Sequence, residues 1–210
     1  MNVLVIKANN RPDGISTKMY ETFLGNMKET DEINVSTYDL FNEDMPYLGQ
    51  DLFSALGKMQ EGVALNDLEQ RLMDAKQKAK DAIQEADVIV VAFPLWNFTI
   101  PAKLQTFVDY IAEAGFTFRY TESGPKPLMT DKRVILMNAR GGNYSDPSMA
   151  PMEMSLTYMR NIFGGLFGMN VKNEVVIEGH NANPDQAEEI VQEGLEKVAQ
   201  LASDLSYQNA

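Results

Sequence analysis

The chain has 210 residues, 44% of them hydrophobic, which suits one domain with a sizeable core. It contains no cysteine and carries a formal net charge of −12, which excludes a disulfide framework, a thiolate metal site, a cysteine nucleophile and a basic face for tracking a nucleic-acid backbone. The opening MNVLVIKANN turns polar too soon for a signal peptide and no apolar run reaches membrane-spanning length, so the expectation is a cytoplasmic protein of one domain over 1–210.

In chain order, NVLVIK (2–7) reads as a short strand. STKMYETFLGNMKE (16–29) puts Met19, Phe23 and Met27 on one helical stripe. INVSTYDL (33–40) is strand-like. Residues 42–62, with Pro46, Gly49, Gly57 and Gly62, form a long excursion with room for a short helix. The next helix spans 66–86, with Asn66 as N-cap and Leu68, Leu72, Ala75, Ala79 and Ile83 as its buried stripe. Its KQKAK cluster (76–80) reads as a solvated face.

DVIVVAF (87–93) is continuously apolar, as in a parallel strand covered on both faces. Residues 101–114 follow as a helix with Pro101 at its first position. Residues 115–129 read as a hairpin insertion, 133–138 as a buried strand and 152–168 as a helix rich in Met and aromatics. A fifth strand (173–179) precedes a closing helix (183–205), with Asn183 as N-cap and Pro184 next. Strands alternate with helices throughout, which predicts a five-stranded parallel sheet with helices on both faces and ligands at the carboxyl ends of the strands.

Three loops follow those ends. The first, ANNRPDGIST, is neither GxGxxG nor a P-loop, yet it ends in Ser16, Thr17 and Lys18 at a helix start, where hydroxyls and amides can hold a phosphate. Ser16 reads equally well as a plain N-cap. The second, FPLWNFTIP, sets Pro94, Leu95, Trp96, Asn97 and Phe98 on a loop, where such an aromatic group has little core to join. The third, ARGGNYSD, offers Ala139, Arg140, Gly141, Gly142 and Tyr144; its glycines let backbone approach a flat ligand, or simply make a turn. A phosphate seat, an aromatic wall and an amide edge together suit flavin mononucleotide (FMN). A phosphoacceptor receiver domain is excluded, because the first and third strands end in KANN and AFPL, without its carboxylates.

In VIKANNRP, STKMYETF, FPLWNFTIPAKL, TFRYTESGPKPL, ARGGNYS and VVIEGH, nearly end to end, the sequence resembles the FMN-dependent NADH azoreductases and quinone reductases of the flavodoxin-like fold. The resemblance implies sheet order 2-1-3-4-5, bound FMN, NADH as a visiting hydride donor, and two-electron ping-pong reduction of quinones or aromatic azo compounds. It implies that Ser16, Thr17 and Lys18 hold the phosphate and ribityl region, that Leu95, Trp96, Asn97 and Phe98 wrap the ring, and that Ala139, Arg140, Gly141 and Gly142 line its pyrimidine side. Asn9 and Ala139 stand where the family often has serine, so backbone contacts carry more weight there than side chains. It also implies a homodimer with the active site at the interface. Phe118, Tyr120 and Phe163 are then candidates to cover the partner's flavin and form its substrate pocket, although the Met-rich 152–168 segment serves equally as ordinary core.

No catalytic side chain is assigned, since the cofactor carries the chemistry. His180, the only histidine, is assigned a structural or surface role, and no metal site is expected. Two other functions share the fold: an electron-carrying flavodoxin, and an NAD(P)H-dependent reductase of nitroaromatics, metals or FMN itself.

Overall fold

The computed structural model describes residues 1–27 and 32–207. Strands β1 (Asn2–Lys7), β2 (Asn34–Asp39), β3 (Val88–Pro94), β6 (Arg133–Arg140) and β7 (Asn170–Glu178) form one parallel sheet in the order β2-β1-β3-β6-β7. Between β3 and β6 lies an antiparallel hairpin, β4 (Phe118–Thr121) with β5 (Gly124–Pro127), inside the expected insertion. Counting only the sheet strands, the order is the expected 2-1-3-4-5, and strand order reverses between β1 and β3.

Every residue of β3 is buried, as its unbroken apolar run requires. Alternation of side chains divides the core into two layers. Leu4, Ile6, Ile89, Val91, Phe93 and Leu136 face helices α2 (Gln50–Glu61), α3 (Asp67–Glu85), α4 (Ala102–Ile111) and α5 (Ser155–Met159). Val3, Val5, Val90, Ala92 and Met137 face α1 (Ile15–Asn26) and α6 (Ala187–Tyr207).

Several boundaries differ from the expectations. Residues 28 and 29 of the expected first helix lie outside the described residues. The 42–62 excursion holds a full helix, α2, which Gly62 ends in the left-handed conformation at φ 68°. Asn66 does cap α3, in a reciprocal pair: its Oδ1 accepts from the Glu69 N–H at 2.9 Å and Glu69 Oε2 accepts from the Asn66 N–H at 2.8 Å. That geometry turns Glu69 inward to meet Lys58 Nζ at 2.7 Å, so Glu69 is buried and Leu68, expected in the stripe, is 42% exposed.

Pro101 is the residue before α4 rather than its first, with extended backbone at ψ 144°. The closing helix starts later than expected. Asn183 turns its Nδ2 to the Gly179 carbonyl at 3.0 Å instead of capping, and a 3-10 turn (Pro184–Gln186) leads into α6.

The expected 152–168 helix divides into a 3-10 turn (Ala150–Met152), α5 and a π-helical segment (Arg160–Leu166). The cause is Glu153. Its carboxylate accepts from the N–H groups of Ser155, Leu156 and Thr157 at 3.0, 2.8 and 3.2 Å, taking the first amides of a new helix and so fixing its start at Ser155. Burial pushes the Glu153 pKa up, but the hydrogen bonds from Leu156, Ser155 and Thr157 and the charge of Arg140 outweigh it and hold the group below its ordinary 4.5. A depressed folded pKa gives stability that is complete above the unfolded pKa and lost as pH falls through the folded one. Glu153→Gln is therefore expected to lower stability at pH 7 by about 1–3 kcal/mol. It is also expected to flatten the acid limb below pH 4.5. Urea unfolding from pH 7 to 3 measures both.

Candidate functional site

A cavity of about 320 Å³ opens at the carboxyl ends of β1, β3 and β6, beside the point where strand order reverses. The first loop contributes Asn9, Arg11, Asp13, Gly14 and Ser16; the second Pro94, Leu95 and Trp96; the third Ala139, Arg140 and Gly141. The turn after β7 adds His180 and Asn181.

The first loop folds onto itself. Asn9, buried after β1, donates from Nδ2 to Ser16 Oγ at 2.9 Å and accepts the Arg11 N–H on Oδ1 at 3.0 Å. A Cβ on residue 14 would sit 2.4 Å from Asn9 Nδ2, so glycine is required there. Gly14, not Ser16, is the residue before α1, and no side chain caps the helix. The first helical bond runs from the Lys18 N–H to Gly14 O at 3.0 Å, which leaves the amides of Ile15, Ser16 and Thr17 without partners inside the helix. Together they form an anion seat at the positive end of the helix dipole. Thr17 Oγ1 is used internally, donating to Arg11 O at 2.9 Å, and Lys18 lines a neighbouring depression.

The second loop is a tight turn. Trp96 and Thr99 exchange backbone hydrogen bonds at 2.9 and 3.0 Å, and the two residues between them are left-handed: Asn97 at φ 49° and Phe98 at φ 70°. Asparagine tolerates this conformation, whereas phenylalanine resists it. The strain is held by the Met154 N–H on Phe98 O at 3.0 Å and by an edge-on contact between Phe98 and Tyr144. The turn stands the Trp96 ring between the cavity and a second groove, which Asn97 lines with Phe41, Tyr47 and Lys103.

The third loop is tied to the β7 turn. Gly141 O accepts from the Asn181 N–H at 3.0 Å and Gly142 O from the Gly179 N–H at 3.1 Å. Gly142 and Tyr144 do not line the cavity; a Cβ on Gly142 would meet the Tyr144 ring at 3.1 Å. Arg140 is 93% buried by its neighbours, with 7% exposure, and its charge is compensated: Nε lies 3.2 Å from Glu178 and a terminal nitrogen 3.8 Å from Glu153. Its guanidinium positions the loop.

Phe118, Tyr120 and Phe163, expected to help cover the partner's flavin, do not line this chain's own cavity. Phe163 is fully buried, edge-on to Phe167, so in this structure it presents no surface to a ligand. Phe118 is buried beside Tyr120, which is 75% exposed. Six lining residues escaped the sequence reading: Arg11, Asp13, Gly14, Ile15, His180 and Asn181. His180 could have been found by counting EGHNANP as a fourth loop at the same sheet edge. It lines the cavity, and burial pushes its imidazole pKa down. Among the described residues, no group of three His, Cys, Asp or Glu side chains could hold a metal.

The flavodoxin-like fold family matches residues 1–202. An FMN-dependent NADH:quinone oxidoreductase of Bacillus subtilis is 46% identical over 204 residues, covering 96% of this chain and 98% of that one. The chain belongs to the flavodoxin-like family of FMN-dependent NADH:quinone oxidoreductases and azoreductases. Among solved structures, an azoreductase of Bacillus anthracis superposes with TM-score 0.87 at 44% identity, covering 97% of this chain and 99% of that one. A second enzyme of that species, an FMN-dependent NADH-azoreductase in complex with FMN, has TM-score 0.87 at 27% identity, with 98% and 99% covered.

The cavity of this member fits such a cofactor. It has helix amides without helical partners and Ser16 at one end, Trp96 along one wall, and the backbone of Gly141, packed against Asn181, along another.

Proposed function

We propose that this chain is a single-domain, FMN-dependent oxidoreductase that takes hydride from NADH and reduces quinones and aromatic azo compounds, acting in the cytoplasm as a homodimer. The observation that carries the reading is the cavity itself, where an anion seat, an aromatic wall and a glycine edge meet at the strand-order reversal. The relatives' names support it in the same direction. Bound FMN supplies two-electron redox chemistry between NADH and the acceptor.

The chain's own part is to bind and orient. The α1 amides and Ser16 hold the phosphate, joined by Asn9, which fixes the Ser16 hydroxyl. Leu95 and Trp96 take the apolar ring, and the backbone at Ala139 and Gly141 meets its polar edge. Thr17 supports the first loop from behind, and Arg140 supports the third. Asn97 and Phe98 serve through the turn that presents Trp96. Exposed apolar side chains favour a dimer: Tyr120, Leu128, Met149, Met152 and Met154 are between 37% and 75% exposed. Light scattering is expected to give twice the 23.5 kDa chain mass.

The deciding experiment mixes FMN-loaded protein with NADH anaerobically and follows the flavin's visible band. The expected result is rapid bleaching, with recovery on adding a quinone. FMN retained without bleaching would favour an electron carrier instead, and failure to bind FMN would overturn the proposal. Trp96→Ala is expected to weaken FMN binding about tenfold through lost aromatic contact. Asn97→Ala should weaken it less, with the added cost of a left-handed alanine. Equilibrium dialysis measures both, and unchanged flavin content in both variants would remove this loop from the site.

A further inference from the structure

His180 is the chain's only histidine and stands where two depressions meet. One is the cavity at the start of α1, shared with Arg11, Asp13 and Ser16. The other runs between α1 and α6, past Lys18 and Glu188. Nδ1 is buried and has no hydrogen-bond partner, so it is closed to a ligand and the half-buried ring can meet one only through Nε2.

The turn that carries the ring is held by its neighbours. The Gly179 and Asn181 N–H groups bond to Gly142 and Gly141 at 3.1 and 3.0 Å, and Asn183 Nδ2 closes the turn onto Gly179 O at 3.0 Å. The turn is thus pinned on both sides of His180 while its imidazole is left without a partner.

The charges around it are unevenly committed. Arg11 is engaged by Asp13 at 3.0 Å, and Arg140 by Glu178 at 3.2 Å. Both cavity arginines therefore bring a carboxylate with them. Lys18 and Glu188 line the second depression together with His180. In a chain of net charge −12, an anion arriving at the α1 amides gains most from a cation without an acidic partner.

We propose that His180, in its protonated form, is a ligand of the FMN phosphate and makes FMN retention tighten as pH falls. The inference rests on the FMN reading above and goes beyond it by giving this side chain a charge-dependent role. Without the anion, burial holds the imidazole neutral, with its pKa below the ordinary 6.5. A dianionic phosphate beside the ring raises that pKa, so binding takes up a proton and affinity rises from about pH 8 to 6. The phosphate's own ionisation near pH 6 sets the lower limit.

Two measurements test this. FMN and riboflavin are titrated into the flavin-free full chain at pH 8, 7 and 6 by fluorescence quenching, for the native protein and His180→Gln. FMN binding to the native protein should tighten about tenfold across that range, more than in the variant, and the two proteins should differ most at pH 6. Riboflavin, which lacks the phosphate, should bind both equally at every pH. The imidazole Cε1–H signal, unambiguous for a sole histidine, should report a pKa raised by FMN and not by riboflavin, with no substitution needed. Identical FMN profiles in the two proteins, equal losses for riboflavin, or an unmoved imidazole pKa would overturn the role of His180 while leaving FMN binding intact. Absence of FMN binding in the native protein would overturn the proposed function along with it.

Discussion

Phe163→Ala is expected to destabilise the fold by about 3–5 kcal/mol, the usual cost of emptying a large aromatic site in a packed core. The side chain is wholly buried, edge-on to Phe167, in the layer that holds Leu136, Leu156, Met159 and Met169. Its backbone carbonyl also receives the Met169 N–H at 2.9 Å, so the π-helical segment and the approach to β7 relax together. Urea unfolding measures the loss. The matched control is Tyr120→Ala on the exposed hairpin, expected within about 0.5 kcal/mol of the native protein. An equal, small effect in both variants would show that Phe163 is not the core residue described above.

Gly141→Val is expected to lower turnover with NADH and a quinone about a hundredfold, and FMN retention with it, since small displacements at a site carry penalties of that size. The obstacle is space rather than backbone conformation. The first side-chain carbon would lie 2.2 Å from Asn181 Nδ2, 2.8 Å from its Cγ and 3.1 Å from its Cβ. A short side chain cannot withdraw all three atoms, and the Asn181 N–H is itself bonded to Gly141 O. The third loop must therefore part from the β7 turn, carrying away the backbone edge and the mount of His180 together. Circular dichroism should stay native, because the sheet is not touched. Native turnover in the variant would mean that this edge does not meet the ligand.

The architecture was legible because its signals are local. The unbroken apolar run at 88–94 requires cover on both faces, and Asn66 with Glu69 forms a cap within a single turn of chain. Alternation of such segments determines a parallel sheet, and a parallel sheet places its ligand loops at one edge. On those grounds the sequence groups residues 8–17, 93–100 and 139–146, and residues of all three loops line one cavity.

What the local signals could not carry were choices made between segments far apart in the chain. Leu68 and Glu69 are equally placed on the helical stripe, and Lys58, on another helix, decides which turns inward. Arg140 lines the cavity, and Glu153 and Glu178, from other segments, decide how its charge is shared. Phe163 lay in a segment whose period fits either surface or core, and the π-helical turn settles it inside. The sheet edge of His180 follows from its place after the last strand, but its approach to the α1 loop depends on hydrogen bonds that fasten its turn to Gly141 and Gly142. Secondary structure and a parallel sheet thus follow from periodicity, caps and alternation along the chain, whereas the charge pairing and exposure of the site residues follow from partners that only folding brings within reach.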